Sequence, residues 1–160
     1  MSKLSHLDGD GAAHMVDVSG KNVSLREATA GGLLRLDEST IDLLYSDALP
    51  KGDALAVARI AAIQATKKTP DLIPLCHPLM IDQVGVEITR EQGAIRLNVT
   101  VRCSGRTGVE MEALTGVSVG LLALYDMVKA VQRDARIDGI ELLAKSGGKS
   151  GEWTRPTGKG

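Results

Sequence analysis

QVGVEITREQGAIRLNVTVRC, residues 83–103, is the stretch on which the fold turns. Val84, Val86 and Ile88 fall on one side of its first half. After Glu91-Gln92-Gly93 the alternation resumes more strictly, with Ile95, Leu97, Val99, Val101 and Cys103 facing one way and Arg96, Asn98, Thr100 and Arg102 the other. Alternate side chains of a strand point to opposite faces, so the pattern predicts two half-buried strands joined as an antiparallel hairpin.

Working outward, the hydrophobic period changes on both sides of this hairpin. GDALAVARIAAIQATKK (residues 52–68) predicts a long helix with Leu55, Ala58, Ala62 and Ala65 on one face, widened by Val57, Ile60 and Ala61. Before it lie a short helix, STIDLLYSDA (39–48), and a strand, VSLREATAGGLLRL (23–36), whose two glycines predict a bulge. After the hairpin, TGVEMEALTGVSVGLLALYDMVKAVQRD (107–134) predicts a helix of about six turns, with Thr107 and Glu110 at capping-box spacing. RIDGIELLAK (136–145) closes as a strand. Without the short helix the order is β-α-β-β-α-β. This is an α+β, ferredoxin-like sandwich, an antiparallel sheet with its helices on one face.

At 160 residues the chain is long enough for one domain with a real core. Residues 1–13 are expected to be a flexible N-terminus, 14–145 a single domain, and 146–160 a flexible glycine- and lysine-rich tail. A net charge of −1 gives no general attraction to nucleic acid or membrane, and with no Phe, one Trp and two Tyr the chain lacks stacking platforms for single strands. No nucleic-acid or membrane partner is expected. Two cysteines and no leader pattern at the N-terminus lead to the expectation of a cytoplasmic protein.

Three places carry candidate chemistry. Cys76 and His77 sit in DLIPLCHPLM (71–80), where Pro74 and Pro78 stiffen the backbone and exclude a helix. Adjacent residues rarely share one metal ion, and only Cys103, His6 and His14 remain as further Cys or His ligands, so no metal is expected. A thiol nucleophile lacks an evident base in sequence. A substrate clamp and a plain turn both stay open.

The second long helix presents Val109, Ala113, Val117, Leu121, Leu124 and Val128 as a core stripe. Its other side mixes Met111, Glu112, Thr115, Val119, Leu122, Asp126 and Lys129, a composition that predicts a partner subunit or a cleft there. With Glu110 assigned to the cap, Glu112 is the carboxylate left for function. Asp126 and Lys129 are either an i,i+3 surface pair or part of a site.

Lys51 precedes a helix N-terminus, where the dipole disfavours its charge and suits it to proton transfer; an exposed loop lysine is the plainer reading. Lys67 and Lys68 end that helix, where cations suit the dipole. Lys145 and Lys149 suggest an anion grip, but the P-loop pattern fails because Leu143 stands where its first glycine belongs.

KGDALAVARIAAIQATKKTPDLIPLCHPL (51–79), RTGVEMEALTGVSVGLLALYDMVKA (106–130), LLAKSGGKSG (142–151) and HMVDVS (14–19) closely resemble the cyclic pyranopterin monophosphate synthase family of molybdenum cofactor biosynthesis. The resemblance implies a lyase. Its substrate would be 3′,8-cyclo-7,8-dihydroguanosine 5′-triphosphate, rebuilt into a pyranopterin with a cyclic phosphate and loss of pyrophosphate. It also implies a ferredoxin-like protomer, a homohexamer arranged as a trimer of dimers, and active sites at subunit interfaces; no cofactor is expected, with dependence on Mg²⁺ left open. Asp126 and Lys129 match the family's catalytic Asp-x-x-Lys, and Lys51 its Lys-Gly-Asp lysine. Leu75, Cys76 and His77, with Met111 and Glu112, match its substrate-binding segments. Lys67, Lys145, Arg26 and Asp17 fall at positions expected near the substrate. Thr66, where Ala is commoner, and Lys68, where Arg also occurs, touch no role so assigned.

Overall fold

A computed structural model of the chain describes residues 7, 9–46 and 49–156; His6 and residues 47 and 48 of the predicted short helix lie outside them. The elements are β1 (Ser24–Arg35), α1 (Glu38–Tyr45), α2 (Ala54–Lys67), α3 (Thr69–Leu72), β2 (Gln83–Glu91), β3 (Ala94–Gly105), α4 (Glu110–Val128), β4 (Arg136–Ser146) and β5 (Trp153–Thr154). They form one sheet of order β2-β3-β1-β4-β5, with every neighbouring pair antiparallel. The four long strands and the helices α2 and α4 make the ferredoxin-like sandwich that the sequence predicts.

The alternation in β3 is realised throughout: Ile95, Leu97, Val99, Val101 and Cys103 have no exposed surface. The bulge falls on the predicted strand, where the register of β1 against β4 shifts between Thr29 and Ala30 and again between Gly31 and Leu33. Edge strand β2 is closed at one point by Arg59 of α2, whose guanidinium donates to the Val86 carbonyl.

α4 is the central helix. Val109, Ala113, Val117, Leu121, Leu124 and Val128 are fully buried, so the whole predicted stripe packs inward. By length and apolarity alone this helix would suit a membrane crossing; here its stripe is the core of the sandwich. The opposite side needs a correction. Glu112 and Thr115 are buried too, because α2 lies beside α4, while Met111, Leu122, Asp126 and Lys129 are exposed.

α2 runs antiparallel to α4 and meets it through small residues. Ala58, Ala62, Ala65 and Thr66 are among its buried positions; Val57 and Ile60, expected to widen this face, are exposed at 43% and 57%. On α4 the facing residues are Gly116 and Gly120. A Cβ at Gly116 would lie 2.6 Å from Thr66 Oγ1 and 3.2 Å from the Ala62 carbonyl oxygen, and one at Gly120 would lie 3.1 Å from Ala62 Cβ. Thr66 spans the crossing, its hydroxyl donating to the carbonyls of Ala62 (3.0 Å) and Glu112 (3.3 Å).

Three local expectations change. α4 begins at Glu110 with no side-chain cap and ends at Val128, six residues before Asp134, so the Thr107–Glu110 capping box does not form. α3, with Pro70 in its first turn, reaches Leu72 inside the stretch expected to be extended; proline is tolerated there because the first helical N–H groups have no intrahelical partner. The C-terminal segment expected as a tail includes β5, where Trp153 pairs with Lys145 and Thr154 with Ala144.

Gly116→Val tests the crossing. Overpacking at this contact is expected to cost about 3 kcal/mol in urea unfolding, while Gly20→Ala, which meets nothing within 4 Å, stays within about 0.5 kcal/mol. A Gly116→Val protein as stable as the parent would contradict the close packing.

Candidate active site

Antiparallel packing of α2 and α4 creates two ends with different chemistry. At one end the start of α2 meets the end of α4. Asp53 caps α2, its carboxylate accepting from the Ala56 N–H at 2.9 Å, and this fixes the loop that carries Lys51. Lys51 Nζ donates to Asp126 Oδ2 at 2.9 Å and to the Asp126 carbonyl at 2.8 Å. Lys129 Nζ approaches Asp126 Oδ1 at 2.6 Å. One carboxylate therefore holds two ammonium groups whose residues are far apart in the chain.

The Lys129 hydrogen bond, and then that of Lys51, lowers the Asp126 pKa to about 2. The same carboxylate raises the pKa of Lys129. Asp126 is thus a fixed anion at neutral pH, and Lys129 is a firmly protonated cation.

At the other end, the segment after α2 folds against the start of α4. Cys76 N–H donates to the Ile73 carbonyl at 3.1 Å, closing a turn, and Leu75, Cys76 and His77 then run past Met111 and Glu112. Together with Val16 and Val18 they line a cavity of about 450 Å³. Glu112 is only 3% exposed there, and burial, aided by the nearby charge of Glu110, raises its pKa. Burial, then the Glu112 charge, also raises that of the Cys76 thiol, so this sulfur is not an activated thiolate. Asp17 lies at the rim beside His77. Its carboxylate accepts the Ser19 N–H at 2.8 Å, and this bond, more than the His77 charge, lowers its pKa.

A second cavity of about 670 Å³ adjoins the first and shares Lys21, Thr107 and Gly108 with it. Arg26, Arg106 and Lys149 also line it, making it strongly basic. Arg26 donates through Nε to the Gly105 carbonyl (3.3 Å) and through Nη2 to that of Arg106 (3.2 Å), and Arg106 Nε reaches the Lys21 carbonyl at 3.1 Å. The cations are thus held to one another's backbone.

The structure therefore gathers Lys51, Asp126 and Lys129 in one cluster and Leu75, Cys76, His77, Met111 and Glu112 in another. Glu112 and Asp126 are fourteen positions apart on α4, about 21 Å along the axis at 1.5 Å per residue. Lys67 is exposed at the end of α2 and does not line either cavity. Lys145 is paired with Glu110 at 2.9 Å. Sequence reasoning misses Lys21 and Arg106. Each is an isolated cation in a loop, and only the pairing of Ser24 with Gly105 brings the two loops together. Among the described residues, no group of three or more His, Cys, Asp or Glu is placed to hold a metal ion.

Fold and site together define a ferredoxin-like protein with an apolar cavity containing a buried acid, a basic cavity beside it, and a lysine–aspartate–lysine cluster on the far end of the same helix pair. The chain belongs to the MoaC family, whose model matches residues 15–148. It is similar to the cyclic pyranopterin monophosphate synthase of Corynebacterium glutamicum (strain R), 53% identical over 154 residues, which are 96% of this chain and 99% of that one. The synthases of Chloroflexus aggregans (52% over 157 residues, 97% and 95%) and Streptomyces coelicolor (52% over 153 residues, 96% and 90%) are similar to it over nearly the same length.

The buried acid yields a pH test. The folded-state pKa of Glu112 is raised above its ordinary 4.5, so its share of stability is full below that value and is lost as pH rises through the folded pKa. Glu112→Gln is therefore expected to melt at the wild-type temperature near pH 4 and above it at neutral pH. A difference that is constant with pH would contradict the burial of an ionisable group here.

Proposed function

We propose that the chain performs the reaction for which its relatives are named, the synthesis of cyclic pyranopterin monophosphate in molybdenum cofactor biosynthesis. It is a phosphorus–oxygen lyase. Its substrate is (8S)-3′,8-cyclo-7,8-dihydroguanosine 5′-triphosphate, whose ring system is opened and rebuilt while a cyclic phosphate forms and pyrophosphate leaves. The observation that carries the reading is the convergence of Lys51 and Lys129 on the single carboxylate of Asp126.

Several features support it. The substrate joins a ring system to a triphosphate, and the chain joins an apolar cavity to a basic one. The ring occupies the cavity between His77 and Met111, where Glu112, kept protonated more readily than an ordinary glutamate, donates a hydrogen bond or proton to a ring heteroatom. Pro74 and Pro78 hold the Leu75–Cys76–His77 backbone in place without an ordering cost on binding. Lys21, Arg26, Arg106 and Lys149 take the triphosphate at the uncapped N-terminus of α4. Fixing both ends of the substrate aligns a hydroxyl for in-line attack on the α-phosphorus, where the new P–O bond forms as the bond to the pyrophosphate leaving group breaks.

Ring rearrangement needs several proton transfers, and Lys129, which Asp126 keeps protonated in the free protein, is one carrier. Lys51 is the second carrier. Asp126 transfers no proton; it holds the two amines at one point and makes them mutually dependent. Since about 21 Å of α4 separates this cluster from the cavity of its own chain, a second copy brings its cluster to that cavity. The exposed Val57, Ile60 and Leu122 on the outer side of the helix pair supply apolar surface for such association. A homohexamer, a trimer of dimers, is the assembly proposed, in a cytoplasmic setting that fits the free thiols of Cys76 and Cys103.

Purified Lys51→Ala and Lys129→Ala proteins are expected to release pyrophosphate from the cyclic nucleotide about 10²- to 10⁴-fold more slowly than the parent. Arg106→Ala is expected to raise KM instead. Unchanged rates in both lysine variants would remove the acid–base assignment. Binding without turnover by the wild-type chain would favour a non-catalytic nucleotide-binding module.

A further inference from the structure

Glu110, freed from the cap that its spacing predicts, turns back beneath Gly108, where a Cβ would collide with its carboxylate. There Oε1 accepts from Lys145 Nζ at 2.9 Å, with the two side chains only 27% and 29% exposed. Lys145 Nζ also donates to Ser150 Oγ at 3.2 Å. Between these residues the chain leaves β4, turns through Gly147 and Gly148 at φ of 93° and 73°, and returns to pair Trp153 with Lys145.

This loop is seated and not free. A Cβ at Gly147 would strike the Leu25 carbonyl, and one at Gly148 the Arg26 guanidinium. The Gly151 N–H closes a turn onto the Gly148 carbonyl at 3.2 Å, and beyond β5 the Arg155 N–H bonds the Leu143 carbonyl at 2.7 Å. The inner side of the loop, Gly148 to Ser150, is a wall of the basic cavity. Both ends of the loop are thus tied to β4, and its middle hangs on one side-chain bridge.

We propose that Glu110 is a positioning residue. Through Lys145 and Ser150 it holds the 147–151 loop against Arg26, so that Lys149 forms the outer wall of the polyphosphate subsite. The carboxylate also neutralises Lys145, which would otherwise add an uncompensated charge beside Arg26 and Lys149 and push the loop outward. The inference rests on the reading that this cavity takes the triphosphate.

The full chain tests it with inorganic tripolyphosphate as the probe. Glu110→Gln is expected to weaken tripolyphosphate binding in calorimetry by about tenfold, the scale of one charge-assisted hydrogen bond. It is also expected to speed trypsin cleavage after Lys149. Lys145→Met shows the same two effects, and the double variant is no worse than Lys145→Met alone, since both changes break one link. With the cyclic nucleotide, Glu110→Gln raises KM by a similar factor. Unchanged tripolyphosphate affinity and unchanged cleavage after Lys149 would overturn the tether. So would a fall in kcat at constant KM, which would place Glu110 on the reacting ring. Binding and cleavage require no turnover, so they decide the tether even where the proposed reaction fails.

Discussion

The structure depends on how closely α2 and α4 approach each other. Gly116 and Gly120 on one helix face Ala58, Ala62 and Thr66 on the other, and there is no room for a further carbon atom at either glycine. Such contacts are individually weak, but they forbid sliding, because any shift of register would drive a larger side chain into the crossing. Two rigid antiparallel rods leave their ends in fixed relation. One end brings Lys51 to Asp126, and the other brings the Cys-His segment to Glu112. Thr66 joins packing to chemistry directly, since its hydroxyl holds the carbonyl of Glu112.

The two ends are electrostatic opposites. The lysine–aspartate–lysine cluster stands half-exposed, with both ammonium groups paired to one carboxylate. At the Glu112 cavity, burial raises the pKa of Glu112 and of the Cys76 thiol. About 21 Å of α4 separates that cavity from Lys51 and Lys129 of the same chain. Under the proposed function, a second copy carries its charged cluster to that cavity and removes water as it does so. The exposed Val57, Ile60 and Leu122 on the outer side of the helices are the apolar surface proposed for that association.

Much of the fold is legible in the pattern of amino acids alone, and the places where that pattern misleads share a physical cause. The alternation of residues 95–103 and the Val109–Val128 stripe mark inward-facing positions, and every position so marked is buried. Helix α2 is harder to read, because alanines fill its buried face while larger apolar residues lie outside, inverting the usual contrast. The end of α4 invites overextension because its apolar pattern runs on past the last helical residue. Its start misleads because a carboxylate three residues after a threonine suits a capping box and equally suits an ion pair with Lys145, and only tertiary packing decides between them. Lys51, Asp126 and Lys129 stand out in the sequence, but their meeting point does not, and Lys21 and Arg106 carry no local signal at all.

Subunit mixing tests the central claim most directly. Lys129→Ala and His77→Ala proteins, each inactive alone, are combined in equal amounts and allowed to exchange protomers, and pyrophosphate release is then measured. Sites shared between two copies predict recovery of about a quarter of wild-type activity, because a random pair supplies an intact lysine cluster and an intact cavity one time in four. A mixture no more active than its two components would place both groups in the site of one chain and contradict the account.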